Sequence, residues 1–124
     1  MNFENILREI VEGCGGGIGA ALMGSDGIAI AEFAVEDRPE DALADDIGVA
    51  GVEFGRILEE TSKAADALGG GSVVENVVVL SKFSLIFRSV DAETFLVVAV
   101  TPDGNLGKAR YLIRRHLLAI KQEL

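Results

Sequence analysis

The stretch EGCGGGIGAALMGSDGIAIAEF, residues 12–33, has two readings, a phosphate-cradling loop or a turn leading into a hairpin. A phosphate loop needs a strand before it and a helix after it, because the helix N-terminus supplies aimed N–H groups and the positive dipole end. Here the order is reversed. In FENILREIVE, residues 3–12, Phe3, Ile6, Leu7, Ile10 and Val11 fall on one helical face, so a helix comes first and a strand follows. Gly13 reads as the helix stop in the left-handed conformation, and Gly15 to Gly17 turn the chain into IGAALM. Neither G-x-G-x-x-G nor G-x-x-x-x-G-K-[ST] aligns, and the first lysine is Lys63, so no nucleotide and no other cofactor is expected.

Asp26-Gly27 between the apolar runs Ile18–Met23 and Ile28–Phe33 predicts a β-hairpin. Its small residues Gly19, Ala20, Ala21, Ala29 and Ala31 leave a shallow surface on which helices can lie close. Asp37 and Pro39 then open a second helix, with Glu40, Asp41, Asp45 and Asp46 near its positive end; the D-x-[DN]-x-[DN]-G spacing of a calcium loop is absent. Leu43, Ile47, Ala50, Phe54, Ile57, Leu58, Ala65 and Leu68 keep helical period as far as Gly69, which implies a helix of about 40 Å. Gly48, Gly51 and Gly55 inside it each cost about 1 kcal/mol relative to alanine and so signal a close contact, either with the hairpin or with a second copy of the helix.

Three further strands are expected at 72–81, 83–90 and 94–101, joined by connections short enough to demand antiparallel pairing. Phe95 to Val100 suit a central strand covered on both faces, whereas the alternation of Leu85 and Phe87 with Ser84 and Arg88 suggests a less buried neighbour. PDGN leads into a last helix with a stripe of Leu106, Ala109, Ile113, Leu117 and Ile120, and with Lys108, Arg114, Arg115 and Lys121 largely off it.

At 124 residues the chain suits one domain, 1–124. No apolar run approaches the roughly 18 residues of a membrane span, and the N-terminus lacks the pattern of a secretory signal, so a cytoplasmic location is expected. Cys14 and His116 are the only residues of their kinds, which excludes an internal disulfide and leaves too few ligands for a protein zinc site. Residues 1–80 carry a net −12 and residues 81–124 a net +3 within a total of −9, and the clustered basic ones hold no series of interleaved aromatics, Tyr111 standing alone among them. Nucleic acid is therefore not an expected partner, and the basic residues of the last helix read as a solvated face. His116 has no serine, cysteine or second histidine partner by spacing, so an enzyme is not expected.

The order helix, strand, strand, long helix, strand, strand, strand, helix, with GIGAALMGSDGIAIAEF at the first hairpin and TPDGNLGKARYLIRRHL at the last turn, resembles the Roadblock family over nearly the whole chain. The resemblance rests on Gly17, Asp26-Gly27 and Asn105-Leu106-Gly107 in their order and spacing. It implies an α+β fold: a five-stranded antiparallel sheet of order 2-1-5-4-3, the long helix on one face and the two terminal helices on the other. The family includes the dynein light chain roadblock, lysosomal scaffold subunits that hold Rag-type GTPases, and the bacterial gliding-motility B protein, a partner of a Ras-like GTPase. The chain stops at Leu124 directly after the last helix, without the C-terminal extension of the gliding-motility relatives, which puts any activity that needs that tail in question.

The resemblance thus implies a homodimeric, non-catalytic regulator or scaffold for a small Ras-like GTPase. Its dimer interface would join the third strand and the long helix: Gly48, Gly51, Gly55, Val73, Val74, Val77 and Val79. The GTPase would meet Glu53, Arg56, Glu59, Glu60 and Lys63 on the same helix. Arg56 has the chemistry of an arginine finger, but an i, i+4 pair with Glu60 is the simpler expectation. The alternative is a small-ligand or general interaction module, which an apolar cavity above roughly 300 Å³ would favour.

Overall fold

The computed structural model describes residues 2–37 and 47–124. Along them run α1 (Phe3–Gly13), β1 (Gly17–Gly24), β2 (Ala29–Ala34), α2 (Gly48–Ala67), β3 (Glu75–Val79), β4 (Ser84–Asp91), β5 (Thr94–Val100) and α3 (Leu106–Glu123). The strands make one antiparallel sheet in the order β2-β1-β5-β4-β3, the topology that the resemblance implied.

β5 pairs with β1 on one side and β4 on the other, and Leu96 to Val100 are fully buried. Because side chains alternate along a strand, this run feeds two cores. Leu96, Val98 and Val100 meet Ile6, Leu7, Ile10 and Val11 of α1 and Ala109, Ile113 and Ile120 of α3. Val97 and Ala99 join Ile18, Ala21, Met23 and Phe87 in the core under Ile47 and Ala50 at the start of α2. The apolar stripes of α1 and α3 are thus the buried faces that their spacing predicts.

The helix ends show where side chains replace missing backbone partners. Asn2 and Asn105 accept from the N–H groups of Asn5 and Lys108, each at 2.9 Å, and so cap α1 and α3. α2 has no such cap on its own N-cap residue Ile47; instead the Gly48 N–H donates to the Glu32 carboxylate of β2 at 2.9 Å. At its other end Gly69 takes φ 67°, and the Gly69 and Gly70 N–H groups donate to Asp66 and Ala65 carbonyls, the double closure expected of a helix stop. His116 ties α3 to α1: Nδ1 contacts the Leu112 carbonyl and Nε2 the Glu9 carboxylate, both at 2.8 Å.

Four expectations change. Gly13 ends α1 without a left-handed backbone; that conformation falls to Gly16 (φ 87°), where a Cβ would collide with Thr101 and Gly104. Gly13 instead lets α3 approach, its Cβ position lying 2.9 Å from Leu112. α2 spans 20 residues, about 30 Å rather than 40; the expected helix start at Pro39, with Glu40, Asp41, Leu43, Asp45 and Asp46, lies outside the described residues. β3 covers only Glu75–Val79 of the expected 72–81. Finally, Ser84, Leu85, Ile86 and Phe87 are all buried, because β4 is flanked by β5 and β3 and has apolar layers over both faces. Only Arg88 shows the expected polar exposure, half-buried with its guanidinium 3.9 Å from Glu75.

Denaturant unfolding tests these assignments. Ile113→Ala should cost about 2–5 kcal/mol through the cavity it leaves, and Glu32→Ala about 0.5–2 kcal/mol through the lost cap of α2. Leu118→Ala, on the outer face of α3, should stay within about 0.5 kcal/mol of the parent.

Candidate partner-binding site

Among the described residues α2 lies chiefly over β1 and β5 and reaches β4 through the contact of Phe54 with Phe87. A cleft of about 610 Å³ opens there between α2, the segment leading into β3, and the turns after β1 and β4. Phe87 and Phe95 line it, their ring centroids 6.4 Å apart, and Phe54 of α2 packs against Phe87 at 5.4 Å. Its rim carries carboxylates, of which Asp26 and Asp91 accept from the N–H groups of Ile28 and Glu93 at 3.1 and 2.9 Å and so serve their own turns. The cleft falls within the roughly 300–1,000 Å³ of a ligand cavity, yet it is an open groove of mixed polarity rather than an enclosed apolar one.

The candidate residues divide around this cleft. Gly51, Gly55, Arg56 and Glu59 of α2 line it together with Val73 and Val74. Gly48 and Gly51 are buried within the chain, and a Cβ on Gly51 would lie 3.0 Å from the Met23 side chain, so contact with the hairpin accounts for this glycine. A Cβ on Gly55 would meet nothing within 4 Å. Val77 and Val79 lie on the opposite face of the sheet, since Val78 between them packs into the α2-side core and Val77 is the register partner of Ile86. Val74 and Val79 are 55% and 70% exposed. Glu53, Glu60 and Lys63 are exposed on α2 away from the cleft.

The expected Arg56–Glu60 pair is not formed. Glu60 bonds Lys63 at 3.3 Å, and Arg56 has no ion-pair partner among the described residues. The two lie one helical turn apart, but Lys63 offers Glu60 a nearer cation. The spacing pattern gives no sign of the cleft, because its lining gathers residues of α2, β4, β5 and the segment before β3, whose adjacency depends on sheet order. It also missed the opposite edge, where Ile28 and Ile30 are exposed beside β1; their place in an apolar run was the available signal.

Among the described residues no group of His, Cys, Asp and Glu is arranged to hold a metal ion, and no helix is long and apolar enough to cross a membrane. Cys14 is buried, its thiol donating to the Val11 carbonyl at 3.5 Å. Burial pushes its pKa up from the usual 9.0, against smaller lowering effects from a backbone hydrogen bond and Lys108.

Aligned over its whole length, the chain is 33% identical to MglC from Myxococcus xanthus, covering all of that chain as well, with a TM-score of 0.70. A Roadblock/LC7 domain from Streptomyces avermitilis superposes with a TM-score of 0.81 at 16% identity, covering 98% of this chain and 97% of the other. The gliding protein MglB from Thermus thermophilus does so at 0.82 and 18% identity, covering 96% and 85%. The last two similarities speak for the fold alone. No protein-family model and no curated protein matches the chain. The full-length similarity together with the sheet order shows that the chain belongs to the Roadblock family.

The Cys14 thiol gives a check on the packing described. At pH 8 it should react with a disulfide reagent at least about tenfold more slowly than an exposed cysteine, and reach the ordinary rate on unfolding. Since its folded pKa is raised, its contribution to stability is intact below pH 9.0 and is lost as pH rises from there through the folded value.

Proposed function

We propose that the chain is a homodimeric, non-catalytic regulator or scaffold that binds a small Ras-like GTPase in the cytoplasm, in a process of cell polarity or motility. The observation that carries this reading is the shared orientation of the α2 cleft, Val73 and Val74 beside the edge strand, and Arg56, which has no ion-pair partner among the described residues, all on one side of a Roadblock sheet. An edge strand with unused hydrogen-bonding groups and exposed valines invites pairing with a second chain, and two-fold symmetry would satisfy both copies at once. A second α2 laid beside the first would cover exposed Val52 and Ile57 and shield the aromatic floor of the cleft. The outward residues Glu53, Arg56, Glu59, Glu60 and Lys63 would then form a charged platform for the GTPase, with partner ordering rather than chemistry as the mode of action.

The volume of the cleft favours a second reading, a small ligand held between α2 and β4. Carboxylates on its rim and its openness fit an interface better.

In sizing chromatography with light scattering at low micromolar concentration, the chain should run at twice 13.1 kDa, as an interface on the order of 2,000 Å² requires; a mass of one chain would sink the dimer. Gly55→Leu is the probe, because a Cβ there meets no atom within 4 Å and the change also gains helix propensity, so it should weaken the dimer without lowering the stability of the single chain. Mixed with the Ras-like GTPase encoded nearest to it, the dimer should form a complex. Arg56→Lys should then keep whatever stimulation of GTP hydrolysis is present, and loss of that stimulation with binding intact would make Arg56 a finger. Turnover of GTP by the chain alone would overturn the non-catalytic reading.

A further inference from the structure

α3 lies on the face of the sheet opposite the cleft, and its solvent side differs from the rest of the molecule. Lys108, Tyr111, Arg114, Leu118 and Lys121 are exposed and follow one another at intervals of three or four residues, with exposed Arg115 four residues after Tyr111 and three before Leu118, which places all six along one continuous stripe. Tyr111 is 51% exposed and Leu118 67%, and both arginines lie within one turn of each. The four basic residues of the stripe have no carboxylate partner among the described residues; Arg110 at its edge is spent on Glu75 at 2.7 Å. Within a chain of net charge −9, this helix carries no acidic residue before Glu123.

A solvated charge run needs no apolar members, whereas tyrosine and arginine around an exposed leucine have the composition of an interface centre. We propose that the outer face of α3 docks an acidic, amphipathic helical segment of a partner protein, independently of the GTPase reading. Charge complementarity selects the sign of that partner. Its width is selected by α1, which shares the layer with α3 and presents exposed Glu4, Glu9 and Glu12. A flat anionic bilayer or a nucleic acid duplex would meet those carboxylates as well as the arginines, while a single helix laid along α3 meets only the basic stripe. Tyr111 and Leu118 stand two turns apart, about 10 Å, so the partner helix would set its apolar side chains against them and its carboxylates against Lys108, Arg114, Arg115 and Lys121.

The test uses the intact protein and two fluorescein-labelled helical peptides of about 18 residues, one with a leucine stripe flanked by glutamates and one with lysines in place of those glutamates. The glutamate peptide should bind saturably and the lysine peptide should not. Affinity should fall at least about tenfold between roughly 50 and 300 mM salt. Arg114→Glu with Arg115→Glu should weaken binding at least about tenfold, and Leu118→Ser about fivefold, with circular dichroism and oligomeric mass unchanged. Lys63→Glu, on the other side of the sheet, should leave peptide binding alone. No saturable binding by the parent protein, or equal binding by the charge-reversed variant, overturns the proposal. So does sedimentation of the protein with phosphatidylserine vesicles under the same salt, which would make the face a membrane contact. Salt-sensitive self-association that the charge reversal removes overturns it in favour of a second copy.

Discussion

Burial of β5 on both faces is the constraint from which the rest of this structure follows. A central strand with apolar side chains on each side cannot be satisfied by one layer, so the chain must supply helices to both faces of the sheet. Leu96, Val98 and Val100 require α1 and α3; Val97 and Ala99 require α2. The antiparallel pairs to β1 and β4 then fix the register of the neighbouring strands, since a shift by one residue would carry every side chain to the wrong core.

The two layers are not equally filled. α1 and α3 together cover one face, with Gly13 allowing Leu112 close and His116 joining the helices through Glu9. On the other face, among the described residues, α2 settles chiefly over β1 and β5, where Gly51 lets Met23 rise against it. The consequence is the cleft above Phe87 and a third strand with little covering it. The same economy that completes the core therefore leaves a surface suited to association, and the Glu32 cap holds the start of α2 on the opposite side of that opening.

Charge separates the two sides further. Acidic residues crowd α2 and the cleft rim, while four basic residues with no ion-pair partner among the described residues lie on the outer side of α3. A family member that holds one partner over α2 and another along α3 would act as a bridge between them, with the sheet as the rigid spacer. That arrangement needs no chemistry from the chain itself, in keeping with Cys14 being buried and His116 engaged in joining two helices.

Much of the fold was legible because its signals are local. Helical spacing marked α1 and α3, Asp26-Gly27 marked the hairpin, the glycines after Leu68 marked the end of α2, and the unbroken apolar run marked β5. Features that depend on contacts between distant segments were not legible. Whether Gly51 met its own sheet or another chain hung on how far α2 sits over Met23, and the burial of Ser84 hung on β4 having a strand on either side. Arg56 shows the limit most directly: spacing offered it Glu60, but the competing Lys63 took that carboxylate and left the guanidinium at the cleft. The sequence by itself determined which segments are helix and strand and which faces are apolar, because those follow from periods of 3.6 and 2. Tertiary structure alone decided which apolar faces found cover within the chain and which were left open, because covering a face depends on the offset between layers, and no local pattern encodes that offset.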